Sequence, residues 1–119
     1  MKVIIAGSRE ITDYELLLQA ITNANFDITS VVSGCARGVD RLGERFAKEC
    51  GLPIHQFPAD WNGPYKKAAG HVRNAEMAKI GDALIAIWDG NSPGTKGMIN
   101  LAKKNNLLVH IEYFSDPNQ

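Results

Sequence analysis

Apolar positions recur along the chain with two alternating periods. Val3-Ile4-Ile5-Ala6 is an unbroken apolar run that stops at Gly7-Ser8, the pattern of a strand buried on both faces of a sheet. From Thr12 to Asn23 the spacing changes. Tyr14, Leu17, Leu18 and Ile21 fall at i, i+3, i+4 and i+7, which draws one apolar stripe along a helix. Thr12 and Glu15 have the spacing of a capping box at its start, with Ile11 and Leu16 placed as the accompanying hydrophobic staple. Ile28 to Ser33 predicts a second strand. A second helix opens near Val39, sets Val39, Leu42, Phe46, Ala47 and Cys50 on one face, and stops at Gly51.

The second half repeats the alternation. A short strand is expected over Pro53 to Phe57, then an irregular loop from Ala59 to Lys66, then a helix from Ala68 to Ile80 that Gly70 loosens. Asp82 to Trp88 contains the uninterrupted run Ala83-Leu84-Ile85-Ala86-Ile87 and predicts a strand. The loop Asp89 to Gly94 leads to a fourth helix with Met98, Leu101 and Ala102 inward. Leu107 to Tyr113 is the last strand, and Ser115 to Gln119 is expected to fray.

Five alternations of strand and helix predict a three-layer α/β fold, a five-stranded parallel sheet with helices on both faces and right-handed crossovers. The first and fourth strands are the most apolar and belong at the centre, which gives the order 3-2-1-4-5. The absence of repeats and linkers predicts one domain over residues 1–119. A sheet of this order binds ligands beyond its carboxyl edge, where the order reverses between strands 1 and 4.

Composition narrows the partners. The 119 residues are 45% apolar and 22% charged, with 13 basic and 13 acidic side chains, so the net charge is zero. That balance argues against nucleic-acid and membrane partners, which usually leave a basic excess. No apolar run approaches the roughly 20 residues that cross a bilayer. Cys35 and Cys50, with no secretory signal ahead of them, read as reduced thiols of a cytoplasmic protein. His55, His71 and His110 are scattered, so no metal site and no cofactor are expected.

Candidate chemistry gathers after the strands. Gly7-Ser8-Arg9 follows the first, Ser33-Gly34-Cys35-Ala36-Arg37-Gly38-Val39-Asp40 the second, and Asp89-Gly90-Asn91-Ser92-Pro93-Gly94-Thr95 the fourth. Any one such loop reads equally well as a tight turn. Three at one sheet edge, two of them carrying arginine, predict a site for an anionic ligand. Arginine suits phosphate because its planar fork donates two parallel hydrogen bonds. Asp40, in the first turn of a helix, either balances the helix dipole and caps its N–H groups, or binds ribose hydroxyls or orients Arg37. Ser92 and Thr95 fit both capping and ligand contact. In Gly70-His71-Val72-Arg73-Asn74, glycine costs a helix about 1 kcal/mol, and Arg73 and Asn74 are candidates to face the ligand. Trp61 and Tyr65 either stack on a base, close over a pocket, or form a satellite apolar cluster beneath the loop. Cys35 stands among N–H donors near Arg37, surroundings that stabilise a thiolate, but a lone cysteine with no histidine placed beside it is more often a packing residue than a nucleophile.

These residues carry a resemblance. GSR after strand 1, VVSGCARGVD after strand 2, AGHVRNAEMA on the third helix and DALIAIWDGNSPGTKGMI around strand 4 resemble the SLOG superfamily of Rossmann-like proteins, and within it the small stand-alone YspA-like family. The DNA-processing protein DprA is a more remote relative, similar in its SGxARGxD segment. The LOG phosphoribohydrolases, which split a nucleoside monophosphate into base and ribose phosphate, are remote relatives too. The resemblance implies a Rossmann-like fold and a nucleotide-type ligand: Gly34 to Gly38 and Gly94-Thr95 would hold phosphate, and Arg9, Arg37, Arg73 and Asn74 would line the pocket. It also implies a homo-oligomer, dimeric or higher. LOG enzymes carry PGGxGTxxE, whose glutamate takes part in cleavage. This chain places Met98 where that glutamate would stand, and methionine can neither shuttle a proton nor stabilise an oxocarbenium-like centre.

Three functions are therefore expected in descending order. The first is binding of a nucleotide or an ADP-ribose-like ligand, as sensor or carrier, through Gly7, Ser8, Arg9, Ser33, Gly34, Arg37, Gly38, Arg73, Asn74, Gly90, Ser92, Gly94 and Thr95. The second is cleavage of the N-glycosidic bond, with Asp40 or Asp89 as the carboxylate. The third, single-stranded DNA binding, is weakened by the zero net charge.

Overall fold

The computed structural model describes residues 1–115. Five strands, β1 (Lys2–Gly7), β2 (Ser30–Ser33), β3 (Ile54–Gln56), β4 (Ala83–Trp88) and β5 (Leu108–Tyr113), alternate with α1 (Tyr14–Ala24), α2 (Val39–Glu49), α3 (Ala69–Ile80) and α4 (Pro93–Lys104). All four pairings are parallel and the order is β3-β2-β1-β4-β5. This is the three-layer, Rossmann-like arrangement expected from the alternating periods. The tail residues 116–119, expected to fray, lie outside the described residues.

Each central strand buries both of its faces because helices cover both sides. Val3 and Ile5 of β1 join Ile85 and Ile87 of β4 beneath α1 and α2, with Leu17, Ala20, Val39 and Ala47. Ile4 and Ala6 face the other way and pack with Leu84, Ala86, Met77, Met98 and Ile99 beneath α3 and α4. The period of two along the strands thus sorts one continuous apolar run into two cores. Gly43 lets α2 lie close on β1: a Cβ there would stand 2.9 Å from Cβ and Cγ2 of Ile5.

Three local expectations are corrected. Helix α1 is capped by Asp13, whose carboxylate accepts the Glu15 N–H at 3.0 Å; Thr12 and Glu15 form no capping box, because the aspartate one residue on supplies a charged acceptor. Cys50 lies past the end of α2 and is exposed rather than inward. Gly70 does not loosen α3, which runs unbroken through it behind a 3₁₀ turn over Lys66–Ala68.

Candidate functional site

The parallel order brings the loops after β1, β2 and β4 to one sheet edge, and a cavity of about 590 Å³ opens among them. Gly7, Ser8 and Arg9 form one wall. Asp40 comes from α2, Arg73 and Asn74 from α3, and Ser92, Gly94 and Thr95 from the start of α4. Ala6, Met77 and Met98 add apolar surface, and Trp61 and His71 complete the rim. Nine of the expected site residues therefore share one cavity, drawn from four separate segments of the chain.

The remaining expected residues stand elsewhere. Gly34 and Arg37 line a smaller neighbouring hollow of about 310 Å³, which shares Arg9, Ala36, Trp61 and Arg73 with the main cavity. The Arg37 guanidinium is exposed and pairs with Glu10 at 2.8 Å. Ser33 is buried at the end of β2; its Oγ donates to Glu44 Oε2 at 2.7 Å and accepts the Cys35 N–H at 3.1 Å. Gly38 is the N-cap of α2 at φ +80°, so close to the backbone of Ser8 and Arg9 that a side chain would overlap them. Gly90, at φ +90°, is exposed and faces neither hollow.

Asp89 also lies outside the cavity lining. One carboxylate oxygen accepts the N–H groups of Asn91 at 2.8 Å and Ser92 at 2.7 Å, and the other accepts the Ser92 hydroxyl at 2.8 Å. These backbone and side-chain donors hold its pKa below the ordinary carboxylate value. Ser92 is the N-cap residue of α4, yet its side chain serves Asp89 instead of capping. The turn is built from inside the loop. The N–H groups of Gly94 and Thr95, with Pro93 at the first helical position, have no acceptor within the helix, and both residues line the cavity.

Two cations and one carboxylate set the field inside. The Arg73 guanidinium, half-buried, donates through Nη1 to the carbonyls of Gly34 and Phe57 and through Nε to Asn74 Oδ1 at 2.8 Å. Burial lowers its pKa from the usual arginine value, opposed by the nearby Asp40 charge, and it stays protonated. Arg9 has no ion pair and no side-chain hydrogen bond among the described residues. Asp40 is buried, and Oδ2 accepts the Ala36 N–H at 3.1 Å. Burial is the chief reason its pKa rises to about 6, with the Ala36 hydrogen bond, Arg73 and Arg9 pulling it back down.

Glu44, one turn after Asp40, escaped the sequence reading although it anchors Ser33, whose hydroxyl in turn accepts the Cys35 N–H at the start of the Gly34–Gly38 loop. It is buried and accepts from Ser33, from Arg41 at 2.9 Å and from Gln56 at 3.3 Å. Burial alone would raise its pKa, but those three donors outweigh it and keep the value below normal. The available signal was the pair Asp40 and Glu44, carboxylates at i and i+4 that repel unless each is held by its own donors. At Cys35 burial and the Glu44 charge push the thiol pKa up rather than down, which favours the packing role over a thiolate.

The described residues include no group of three or more histidine, cysteine or acidic side chains suited to a metal, and no described helix is long and apolar enough to cross a membrane. A comparison with curated proteins finds no match. A family model does match, over residues 1–63, which hold β1 to β3, the Gly7–Arg9 and Gly34–Gly38 loops, Asp40 and Trp61. That span is more than half of the chain, and with the YspA-like motifs that it contains the chain belongs to YAcAr, the YspA, cpYpsA-related SLOG family.

Proposed function

We propose that the protein binds a nucleotide or nucleotide-derived ligand, of the ribose-phosphate or ADP-ribose type, at the carboxyl edge of its sheet, as a sensor or carrier. The observation that carries this reading is the convergence of Arg9 and Arg73 with the free N–H groups of Gly94 and Thr95 on one cavity of about 590 Å³. A helix N-terminus and guanidinium groups attract anions by the same charge but place their donors differently, and together they fit a phosphate. SLOG membership agrees with nucleotide-related binding or processing. Calorimetric titration with ribose 5-phosphate, AMP and ADP-ribose tests the reading. Arg9→Ala should weaken binding about 10-fold or more, since a hydrogen bond to a charged group contributes about 1.5–3 kcal/mol. Arg9 is exposed and unpaired among the described residues, so the melting temperature should hold. Unchanged affinity would remove Arg9 from the site.

Asp40 favours a second reading, cleavage of the N-glycosidic bond. It is a buried carboxyl on the cavity wall with a pKa raised to about 6, near the range useful for proton transfer. Met98, buried in the same wall, offers no carboxylate of its own. Proton NMR of AMP incubated with the protein separates the readings. Free adenine that appears with the wild type and fails to appear with Asp40→Asn, while AMP still binds, would establish cleavage; a binder returns AMP unchanged.

A further inference from the structure

The two tryptophans of the chain are used differently. Trp88 is partly buried, donates its indole N–H to the Ser92 carbonyl at 3.1 Å, and packs against Tyr113 with ring centroids 5.9 Å apart. Trp61 is 49% exposed, and its indole N–H has no acceptor among the described residues. It lines the main cavity, the 310 Å³ hollow beside it and an outer hollow of about 560 Å³ with Asn62, Lys66 and Lys67. No other residue borders all three. Its ring lies close to Gly70, where a Cβ would come within 3.1 Å of Cη2, so the glycine leaves the indole its room without being the sole means of placing it.

We propose that Trp61 is the platform on which the base of a nucleotide stacks. The inference rests on the nucleotide-binding reading above and assigns the part of the ligand which that reading leaves open. The two arginines Arg9 and Arg73 share both inner hollows with Trp61. A phosphate held by the guanidinium groups and the start of α4 therefore leaves its base beside the exposed indole. An indole face accepts any base because every base has a π surface, and it carries no acceptor pattern of its own.

The test compares a ligand with a base against the same ligand without one. AMP and ribose 5-phosphate are titrated calorimetrically into the wild type, Trp61→Ala and Trp61→Phe, with thermal melts confirming that each variant folds. Trp61→Ala should lose about 10-fold or more in affinity for AMP and keep its affinity for ribose 5-phosphate within about 2-fold. Trp61→Phe should recover most of the AMP affinity. In a Trp88→Phe background, AMP should quench the remaining tryptophan fluorescence and ribose 5-phosphate should not. If Trp61→Ala weakens both ligands equally, the indole only shapes the cavity and the proposal falls. If it weakens neither, the base lies elsewhere and the proposal falls as well. A wild type that binds neither compound overturns the nucleotide reading itself, and the platform with it.

Discussion

Asp40 concentrates several pressures on one side chain. Its carboxyl is buried, close enough to feel the Arg73 and Arg9 charges yet in an ion pair with neither, and desolvation wins, raising the pKa from 3.8 to about 6. The folded state therefore holds this proton more tightly than the unfolded chain. Its stabilising effect is complete below about pH 4 and is lost as the pH rises through about 6, a swing of roughly 3 kcal/mol. Asp40→Asn cannot titrate there. In urea unfolding, the stability of the wild type relative to Asp40→Asn should fall by about that amount between pH 4 and pH 7.5. A constant difference would mean that the carboxyl titrates as an ordinary aspartate. At this scale the sequence was only half legible. That Arg9, Arg73, Gly94 and Thr95 would come together could be read from their places after strands and in an odd helix, and they do line one cavity, although any one such loop reads equally well as a tight turn. The roles of Asp89 and Glu44 could not be read. An acidic side chain becomes a turn brace or a buried anchor only through donors that the fold brings to it, Ser92 in one case and Ser33, Arg41 and Gln56 in the other.

Among elements, boundaries are decided by single hydrogen bonds, which periodicity does not resolve. The apolar stripe of α1 runs over the same residues whether Thr12 or Asp13 caps it. Only the bond from the Glu15 N–H to Asp13 makes the choice. Asp13→Ala should accordingly cost about 1 kcal/mol in chemical denaturation, while Thr12→Ala should be close to neutral; the reverse order would restore the capping box. Gly43 shows the opposite case, in which a residue poor for a helix is required by packing. Alanine there would gain up to about 1 kcal/mol in helix propensity. It would also drive its Cβ into fully buried Ile5, 2.9 Å away on β1, and overpacking of this kind costs about 1–3 kcal/mol. Gly43→Ala should thus lower the urea midpoint. Gly70 is different, because its neighbour Trp61 stands in an exposed loop that can yield.

For the whole molecule, the strand order was legible because burial and topology are linked. A strand whose every residue is apolar needs cover on both faces, and only the middle of a doubly wound sheet provides it. Val3–Ala6 and Ala83–Ile87 meet that condition, with relative exposures between 0% and 9%. β5 shows its position in its partial burial, with Leu108 and Tyr113 outward at the sheet edge. The same order explains how residues as far apart as Arg9 and Thr95 come to line one cavity: β1 and β4 are neighbours, and parallel strands deliver their following loops to one edge.

The arrangement of Arg9 and Arg73 has a kinetic side. The chain is neutral overall, so no long-range attraction of the whole molecule guides an anion towards it. The two guanidinium groups nevertheless share one recess with Asp40, whose carboxylate offsets part of their charge above about pH 6, and its low-dielectric walls, Ala6, Met77 and Met98 among them, concentrate the remaining positive field at its mouth. On the nucleotide-binding reading proposed above, an approaching phosphate would be captured late, within about one Debye length, roughly 8 Å at physiological ionic strength. In stopped-flow measurements with ADP-ribose, raising the salt from 0.05 to 0.5 M should slow association several-fold and leave dissociation nearly unchanged. On that reading, speed of capture belongs to a recess a few side chains wide rather than to the net charge of the whole molecule.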